Sequence, residues 1–301
     1  MKLCKFLPAL LATFFFASLS VAAEDTAKEA NTIDELVAMY DDSRCAECHQ
    51  EIYDEWKKSW HAKAIVSSLA GMRNFVAVGL AQEWSKPVTK AQILKCVDCH
   101  APAVNFASEE LAMEIAGMIV TAFEKKDTKA GDEAEAELAK LNVGCLSCHN
   151  IKATSVSRGL RGDPVKDAVY GPYGNDSEGH STIQNTTLTR SVFCMQCHGI
   201  YYAPDGEMIQ CNTLSGSYAN AYLNLGGSQT CQDCHMKKGH FFPGGHDLET
   251  VKEGLGLNVE VTSYQHLPGQ IPGVKNEGAW VPSAVVDVFV KNKAGHRIPD
   301  G

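Results

Sequence analysis

The chain has 301 residues with 27 basic and 36 acidic side chains, which give it a formal net charge of −9. A surface of this charge repels a phosphate backbone, so we predict no nucleic-acid partner and favour a basic or a small diffusible one. The sequence also holds 12 cysteines and 11 histidines, and their spacing decides which chemistry they serve.

The first 23 residues have the pattern of a secretory signal peptide: two early lysines, an apolar run over 6–20, and small residues up to Ala23. An uncleaved anchor is the alternative, but this run has about 15 residues, fewer than the roughly 20 that span a bilayer. We therefore predict cleavage after Ala23 and a periplasmic or extracellular protein. The later apolar stretch 111–123 is short and contains Glu114, so we expect no transmembrane helix in the mature chain.

The pattern C-x-x-C-H occurs five times in the mature chain. The motifs are Cys45, Cys48 and His49; Cys96, Cys99 and His100; Cys145, Cys148 and His149; Cys194, Cys197 and His198; and Cys231, Cys234 and His235. This pattern is typical of c-type haem attachment, in which each thiol adds to a vinyl group and the adjacent histidine binds the iron. The sequence therefore predicts five covalently attached haem c groups.

Two other uses of paired cysteines fit this sequence poorly. A zinc ribbon pairs two C-x-x-C knuckles about 15 to 20 residues apart, whereas successive motifs here start 51, 49, 49 and 37 residues apart and each has its own histidine. A thioredoxin-like redox pair occurs once, near a βαβ pattern. Cys211 lies outside the motifs. We predict that it is a small buried hydrophobic residue, and the alternative is a redox-active or intermolecular thiol.

Helical patterns surround the motifs in chain order. After the first motif, Ile52, Trp56, Trp60 and Ala64 recur at four-residue steps, which is typical of a helix. Residues 155–185 are rich in glycine, proline and serine, so we expect this segment to be mostly loop. The predicted helices cover 31–40, 51–72, 90–100, 108–126 and 127–142, of which the last two are antiparallel partners, with one more within 217–227.

Apolar and polar residues alternate in two segments near the end of the chain, 257–264 and 284–290, which predicts two antiparallel strands. The expected fold is mainly α: a multihaem cytochrome c domain over 24–250, followed by the start of a small antiparallel β domain over 251–301. We expect this pentahaem domain to have little regular core, because the apolar porphyrin faces take that role.

Five proximal histidines leave six others, and a six-coordinate haem needs a second axial ligand. We predict His61, His180, His240, His246 and His296 as such ligands, with His266 a weaker candidate. Twelve helical residues would place His61 about 18 Å from His49, so we expect His61 to bind a neighbouring haem. The alternative is a surface histidine on the lysine-rich turn KSWHAK.

The segment CAECHQEIYDEWKKSWHAKA resembles the first haem segment of a family that contains the small tetrahaem c-type cytochromes of nitrification and the octahaem hydroxylamine oxidoreductases. The residues that carry the resemblance are Cys45, Cys48, His49, Tyr53, Trp56, Ser59 and His61. CQDCHM with the later GGH resembles another haem segment of this family, in which the histidine matching His61 is an iron ligand. This chain departs from the family in having five motifs, and its lack of C-x-x-C-K argues against nitrite reduction.

Two functions follow from these patterns. The first is electron transfer in a respiratory chain along closely packed, mostly bis-histidine haems, with other cytochromes or a quinol-linked donor as redox partners. The alternative is a multihaem oxidoreductase that acts on a small nitrogen or sulfur compound at one five-coordinate haem. The two differ in whether any haem lacks a distal ligand.

The sequence ends at AGHRIPDG, which resembles a turn in the β domain that often follows in the same family. In those relatives the chain continues into further strands. We therefore expect an incomplete product or one half of a split protein, for which a UGA codon read as stop is one specific cause. A second subunit that completes the β domain is the alternative.

Overall fold

The computed structural model describes residues 29–77, 88–154, 168–175, 177–202, 208–210, 213–266 and 281–298. The predicted signal peptide, 1–23, and Cys211 lie outside the described residues. Over these ranges the fold is mostly helical, with three small two-stranded sheets. Within these ranges we find no helix that combines the length and the apolar character needed to cross a bilayer.

Eight helices occupy the described part of the first half. They are α1 (Ile33–Met39), α2 (Ser43–Lys58), α3 (Leu69–Arg73), α4 (Lys90–His100), α5 (Glu109–Glu124), α6 (Lys129–Leu138), α7 (Cys145–Cys148) and α8 (Ile151–Thr154). Side chains cap them as the sequence suggests: Thr89 and Gln92 form a capping box on α4, and the Ser108 hydroxyl accepts a hydrogen bond from the Leu111 amide. The predicted antiparallel helix pair, α5 and α6, is confirmed.

Shorter elements fill the second half. The helices are α9 (Ser191–Cys194), α10 (Leu214–Ala221), α11 (Cys231–His235) and α12 (Leu248–Gly254). The strands are β1 (Ala168–Gly171), β2 (Ser181–Gln184), β3 (Ile200–Tyr202), β4 (Met208–Gln210), β5 (Leu255–His266) and β6 (Val281–Asn292). The parallel pairing of β1 with β2 departs from the loop expected over 155–185.

A conventional hydrophobic core lies in the first half, where α5 packs against α3, α4 and α6. Its largest fully buried side chains include Leu36, Ile93, Leu111, Ile115, Ile119 and Leu138. The expectation of little regular core is wrong for this half, because the amphipathic stripe of α5 buries against its neighbours as any helix pair does. Among the described residues after Thr154, in contrast, the buried aliphatic and aromatic side chains are those of Tyr170 and Pro243.

The helix predicted over 51–72 is shorter than expected. α2 ends at Lys58, and the buried Ser59 is extended. Single 3-10 turns follow at His61–Lys63 and Val66–Ser68 before α3 begins. Within α2, His49 leaves helical geometry at φ −115° and ψ 41°, so the motif histidine itself bends the helix.

The two predicted terminal strands pair antiparallel over their whole length, from Leu255 opposite Asn292 to His266 opposite Val281. One face of this β5–β6 hairpin carries the cross-strand apolar pairs Leu257–Val290, Val259–Val288 and Val261–Val286. These side chains are 50–72% exposed, so the hairpin presents an apolar face to solvent.

Candidate haem-binding sites

Each C-x-x-C-H motif begins in a helical segment, and in motifs two, three and five the histidine lies at the helix end or directly after it. His100 and His235 are the last residues of α4 and α11, and His149 follows α7 directly. None of the ten motif cysteines forms a disulfide. Both thiols of each pair are therefore available for attachment to a vinyl group.

Three motif histidines use Nδ1 to hydrogen-bond a backbone carbonyl. The His149 Nδ1 lies 2.6 Å from the Tyr170 carbonyl oxygen, the His235 Nδ1 2.6 Å from that of Pro243, and the His100 Nδ1 3.0 Å from that of Ala64. A histidine that donates Nδ1–H to a carbonyl keeps Nε2 as its lone-pair nitrogen. Metal-binding histidines are commonly oriented in this way.

Four motif histidines each face a histidine from outside the motifs at a nearly constant distance. The ring centres are 6.2 Å apart for His49–His180, His61–His198 and His235–His296, and 6.3 Å apart for His149–His240. Other ring contacts, such as His61–Phe242 at 4.7 Å and Trp60–His246 at 5.3 Å, are closer. What the four pairs share is this near-constant separation together with a motif histidine on one side and a histidine from outside the motifs on the other.

This spacing fits two axial ligands on one iron. A metal–imidazole bond of about 2 Å on each side, with roughly 1 Å from ring nitrogen to ring centre, puts two such ring centres about 6 Å apart. Four of the six remaining histidines thus lie where a second axial ligand is needed: His61, His180, His240 and His296. The donor set therefore fits haem at motifs one, three, four and five.

Motif two is different. Among the histidine rings that the structure describes, which do not include that of His266, none lies at this spacing from His100. Its Nδ1 is 3.0 Å from the Ala64 carbonyl oxygen and 3.1 Å from the Ser68 hydroxyl, and these contacts hold the ring in one orientation.

One histidine named from the sequence, His246, is not brought opposite a motif histidine. His246 is exposed, with its ring 5.3 Å from that of Trp60 and 5.6 Å from that of Phe241. The backbone of His266 pairs with Val281 in the hairpin, and its side chain lies outside the described residues.

The motifs lie next to one another in space. Thiols from different motifs are within hydrogen-bonding distance in three places: Cys45 with Cys145, Cys99 with Cys197, and Cys194 with Cys231. Cys148 and Cys197 also pack on the same small cluster of Ala64, Val143 and Ala153. Motif four thus neighbours motifs two, three and five, and motif three neighbours motif one.

Burial favours the neutral form of several histidines at the motifs. It lowers the pKa of His61 to about 4, with smaller contributions from the nearby His198, His100 and His246. Burial likewise lowers the pKa of His100, His149 and His198. A neutral imidazole keeps the lone pair that a metal needs.

Two acidic residues, Asp42 and Glu55, make contacts near the motifs that the sequence alone does not predict. Asp42 lies between motifs one and three, where its carboxylate accepts a hydrogen bond from the Leu146 amide at 3.1 Å, and burial raises its pKa to about 6. Glu55 accepts a hydrogen bond from the His240 amide at 2.9 Å. Both contacts join residues more than 100 positions apart, and no local pattern encodes them.

Comparison with known proteins finds one family. Residues 44–116, about a quarter of the chain, match the family described as cytochrome c554 and c-prime. No curated protein and no solved structure matches the chain. The matched segment contains the first two C-x-x-C-H motifs together with His61. This match, with the motif geometry, supports a c-type cytochrome that carries covalently bound haem.

Proposed function

We propose that this protein is an exported pentahaem c-type cytochrome that transfers electrons along closely packed haems, four of which have two histidine ligands. The observation that carries the proposal is the set of four histidine pairs at 6.2–6.3 Å. When bound, each haem supplies a one-electron redox centre whose potential depends on its axial ligands, burial and hydrogen bonds.

The proposed ligand pairs join distant parts of the chain. His49 pairs with His180, His61 with His198, His149 with His240 and His235 with His296, so every pair closes a loop of at least 61 residues. Ligation would therefore hold together the second half, where few aliphatic side chains are buried. Metal binding that closes such loops contributes directly to folding.

The contacts between motifs support a branched route. The Cys45–Cys145 contact joins motifs one and three, and the shared packing of Cys148 and Cys197 joins motifs three and four. The contacts of Cys99 with Cys197 and of Cys194 with Cys231 add motifs two and five to motif four. We infer that electrons passing between the two ends of this array cross the site of motif four.

Export and partner choice follow from the same proposal. Families of c-type cytochromes are typically exported, in agreement with the signal peptide predicted over 1–23 and with a periplasmic or extracellular location. The formal net charge of −9 favours a basic surface on the redox partner. Other cytochromes or a quinol-linked donor in a respiratory chain are the partners that we propose.

Alanine substitutions test the ligand pairs one at a time. We expect His61→Ala, His180→Ala, His240→Ala and His296→Ala each to convert one low-spin ferric haem to high-spin, because each change removes one axial imidazole. Electron paramagnetic resonance measures the spin state, and intact mass counts the haems.

His246→Ala is the matched control, since this histidine also lies outside the motifs but packs against Trp60. Its spectrum should equal that of the wild type. The ligand assignment is wrong if the four paired variants show no more high-spin haem than the wild type, or if His246→Ala alone adds to the high-spin signal.

A second candidate is a multihaem oxidoreductase that acts on a small nitrogen or sulfur compound at the haem of motif two. It is favoured by the surroundings of His100, where none of the histidine rings that the structure describes lies at ligand spacing. A five-coordinate iron there would leave one axial position open to an external ligand. The Ala64 carbonyl would hold the proximal ring in place.

Ligand binding separates the two candidates. If the motif-two haem is open, the reduced protein should bind one carbon monoxide per chain, and turnover of hydroxylamine or sulfite would support the enzyme. Binding of one carbon monoxide without turnover of either compound supports electron transfer with one open haem. Absence of any carbon monoxide binding would contradict an open site at motif two.

A further inference from the structure

Glu55 lies on α2, six residues after the histidine of motif one, yet its contact is with the far end of the chain. Its Oε2 accepts a hydrogen bond of 2.9 Å from the backbone N–H of His240, across 185 positions. A carboxylate acceptor makes this hydrogen bond stronger than one between neutral groups. The contact therefore fixes the backbone of the residue whose ring faces His149.

The loop that carries His240 is shaped to meet this carboxylate. Gly239 has a φ of +65°, and a Cβ at this position would overlap the Glu55 carboxylate. Glycine alone combines the left-handed conformation with so close an approach at no steric cost. Phe242, at φ 48°, turns the chain on the other side of the 3-10 turn Gly239–Phe241.

Trp56, the next residue of α2, contacts the segment that carries motif three. Trp56 donates its indole N–H to the Val143 carbonyl oxygen at 2.9 Å, two residues before Cys145. Val143 also donates its amide to the His61 carbonyl oxygen at 3.2 Å. The helix of motif one thus contacts both the attachment segment of motif three and the loop of its facing histidine.

We infer that Glu55 is a positioning residue that holds His240 opposite His149, and so makes ligation at motif three depend on the helix of motif one. The inference rests on the proposed function, because it needs His240 to be an axial ligand. The His240 ring lies 6.3 Å from that of His149 and 5.6 Å from that of Phe242. The contact with Phe242 involves the His240 ring, whereas the hydrogen bond to Glu55 holds the backbone of the loop.

The test compares three variants of the full haem-loaded protein with the wild type. Glu55→Ala removes the acceptor and should add a high-spin ferric signal of up to one haem beyond that of the wild type. Glu55→Gln keeps an amide oxygen that accepts from the His240 N–H, and should restore the wild-type spectrum. Glu51→Ala removes an exposed carboxylate one turn earlier on the same helix and should leave the spectrum unchanged.

His240→Ala serves as the reference, since it sets the full signal for loss of this ligand. If His240→Ala gives the high-spin signal and Glu55→Ala does not, the positioning role is wrong while the proposed function stands. If His240→Ala itself changes nothing, the ligand assignment at motif three fails, and the role of Glu55 fails with it.

A second variant covers the case in which Glu55→Ala does not mature with five haems by intact mass. Gly239→Ala leaves Glu55 in place but pushes a methyl group into its carboxylate. It should also raise the high-spin fraction and add carbon monoxide binding at one more haem than in the wild type. A wild-type spectrum and unchanged carbon monoxide binding in Gly239→Ala would overturn the inference.

Discussion

Asp42 is an acidic residue that lies beside two of the predicted haem-attachment cysteines, Cys45 and Cys145. Its carboxylate contacts the thiol of Cys145 and lies near that of Cys45, and burial raises its pKa to about 6. Thioether formation at Cys145 replaces the thiol proton that hydrogen-bonds Asp42. We therefore expect attachment to raise the pKa of this carboxyl further.

The raised pKa predicts a sign for the dependence of stability on pH. Between about pH 4 and 6 the folded state binds more protons at Asp42 than the unfolded state, so stability falls as pH rises through this window. A shift of about two pKa units corresponds to about 3 kcal/mol at most. Asp42→Asn should remove this component, as measured by the guanidinium midpoint of the haem-loaded protein at pH 4 and 7.

Asp41→Asn is the matched control, because Asp41 is the adjacent acid and hydrogen-bonds the nearby Ser43 amide at 3.1 Å. In Asp41→Asn the guanidinium midpoints at pH 4 and 7 should differ by as much as they do in the wild type. An identical pH dependence in Asp42→Asn and the wild type would show that burial of Asp42 has no energetic consequence.

At the residue scale, the ten motif cysteines and the five motif histidines could be named from their spacing alone, and their roles in holding haem stay predictions. Four further histidines named from the sequence, His61, His180, His240 and His296, lie opposite motif histidines. Which histidine faces which motif could not be predicted, since each pair depends on loops that bring distant segments together. His246 was named on the same grounds, and only its packing on Trp60 sets it apart.

At the element scale, the helix pair α5–α6 offers two glycines in opposite environments. Gly117 is exposed, and a Cβ there meets nothing within 4 Å. Gly131 is buried, and a Cβ there would overlap the carbonyl oxygen of Lys125. The same substitution should therefore have opposite effects at the two positions.

We expect Gly117→Ala to stabilise the protein by about 0.5–1 kcal/mol, because alanine loses less backbone entropy in a helix. Gly131→Ala should destabilise it by about 1–3 kcal/mol, as overpacked sites do. Denaturant unfolding of both variants checks the pair. Equal effects of the two substitutions would contradict the packing of this helix pair.

The predictability of elements followed the strength of local signals. The helical patterns over 90–100 and 108–126 and the alternation in β5 and β6 all gave the expected structure. The break after Lys58 was missed because four-residue apolar spacing continues past it, while burial of Ser59 ends the helix. A second subunit that covers the apolar face of the β5–β6 hairpin remains a prediction.

At the scale of the whole molecule, the two halves differ in what holds them together. The first half has its own hydrophobic core, whereas the second half depends on motif contacts and proposed ligand pairs. The sequence could not reveal this division, because apolar residues near a motif pack equally well on haem or on each other. Partial loss of haem should therefore unfold the second half first.

The branched arrangement of motifs predicts unequal effects of removing single haems. Replacing Cys194 and Cys197 by Ala removes the central site and should slow intramolecular electron equilibration substantially after flash photoreduction. Replacing Cys231 and Cys234 by Ala removes a terminal site and should slow it much less. Equal effects in the two variants, each with four haems by mass, would contradict the branched route.

The central claim is that four haems have two histidine ligands and the haem of motif two has one. Near-infrared magnetic circular dichroism of the oxidised wild-type protein measures it most directly, because the charge-transfer band of a low-spin ferric haem identifies its ligand pair. We expect intensity for four bis-histidine haems per chain, together with the signal of one high-spin haem. Intensity for five bis-histidine haems, or for three or fewer, would contradict the assignment.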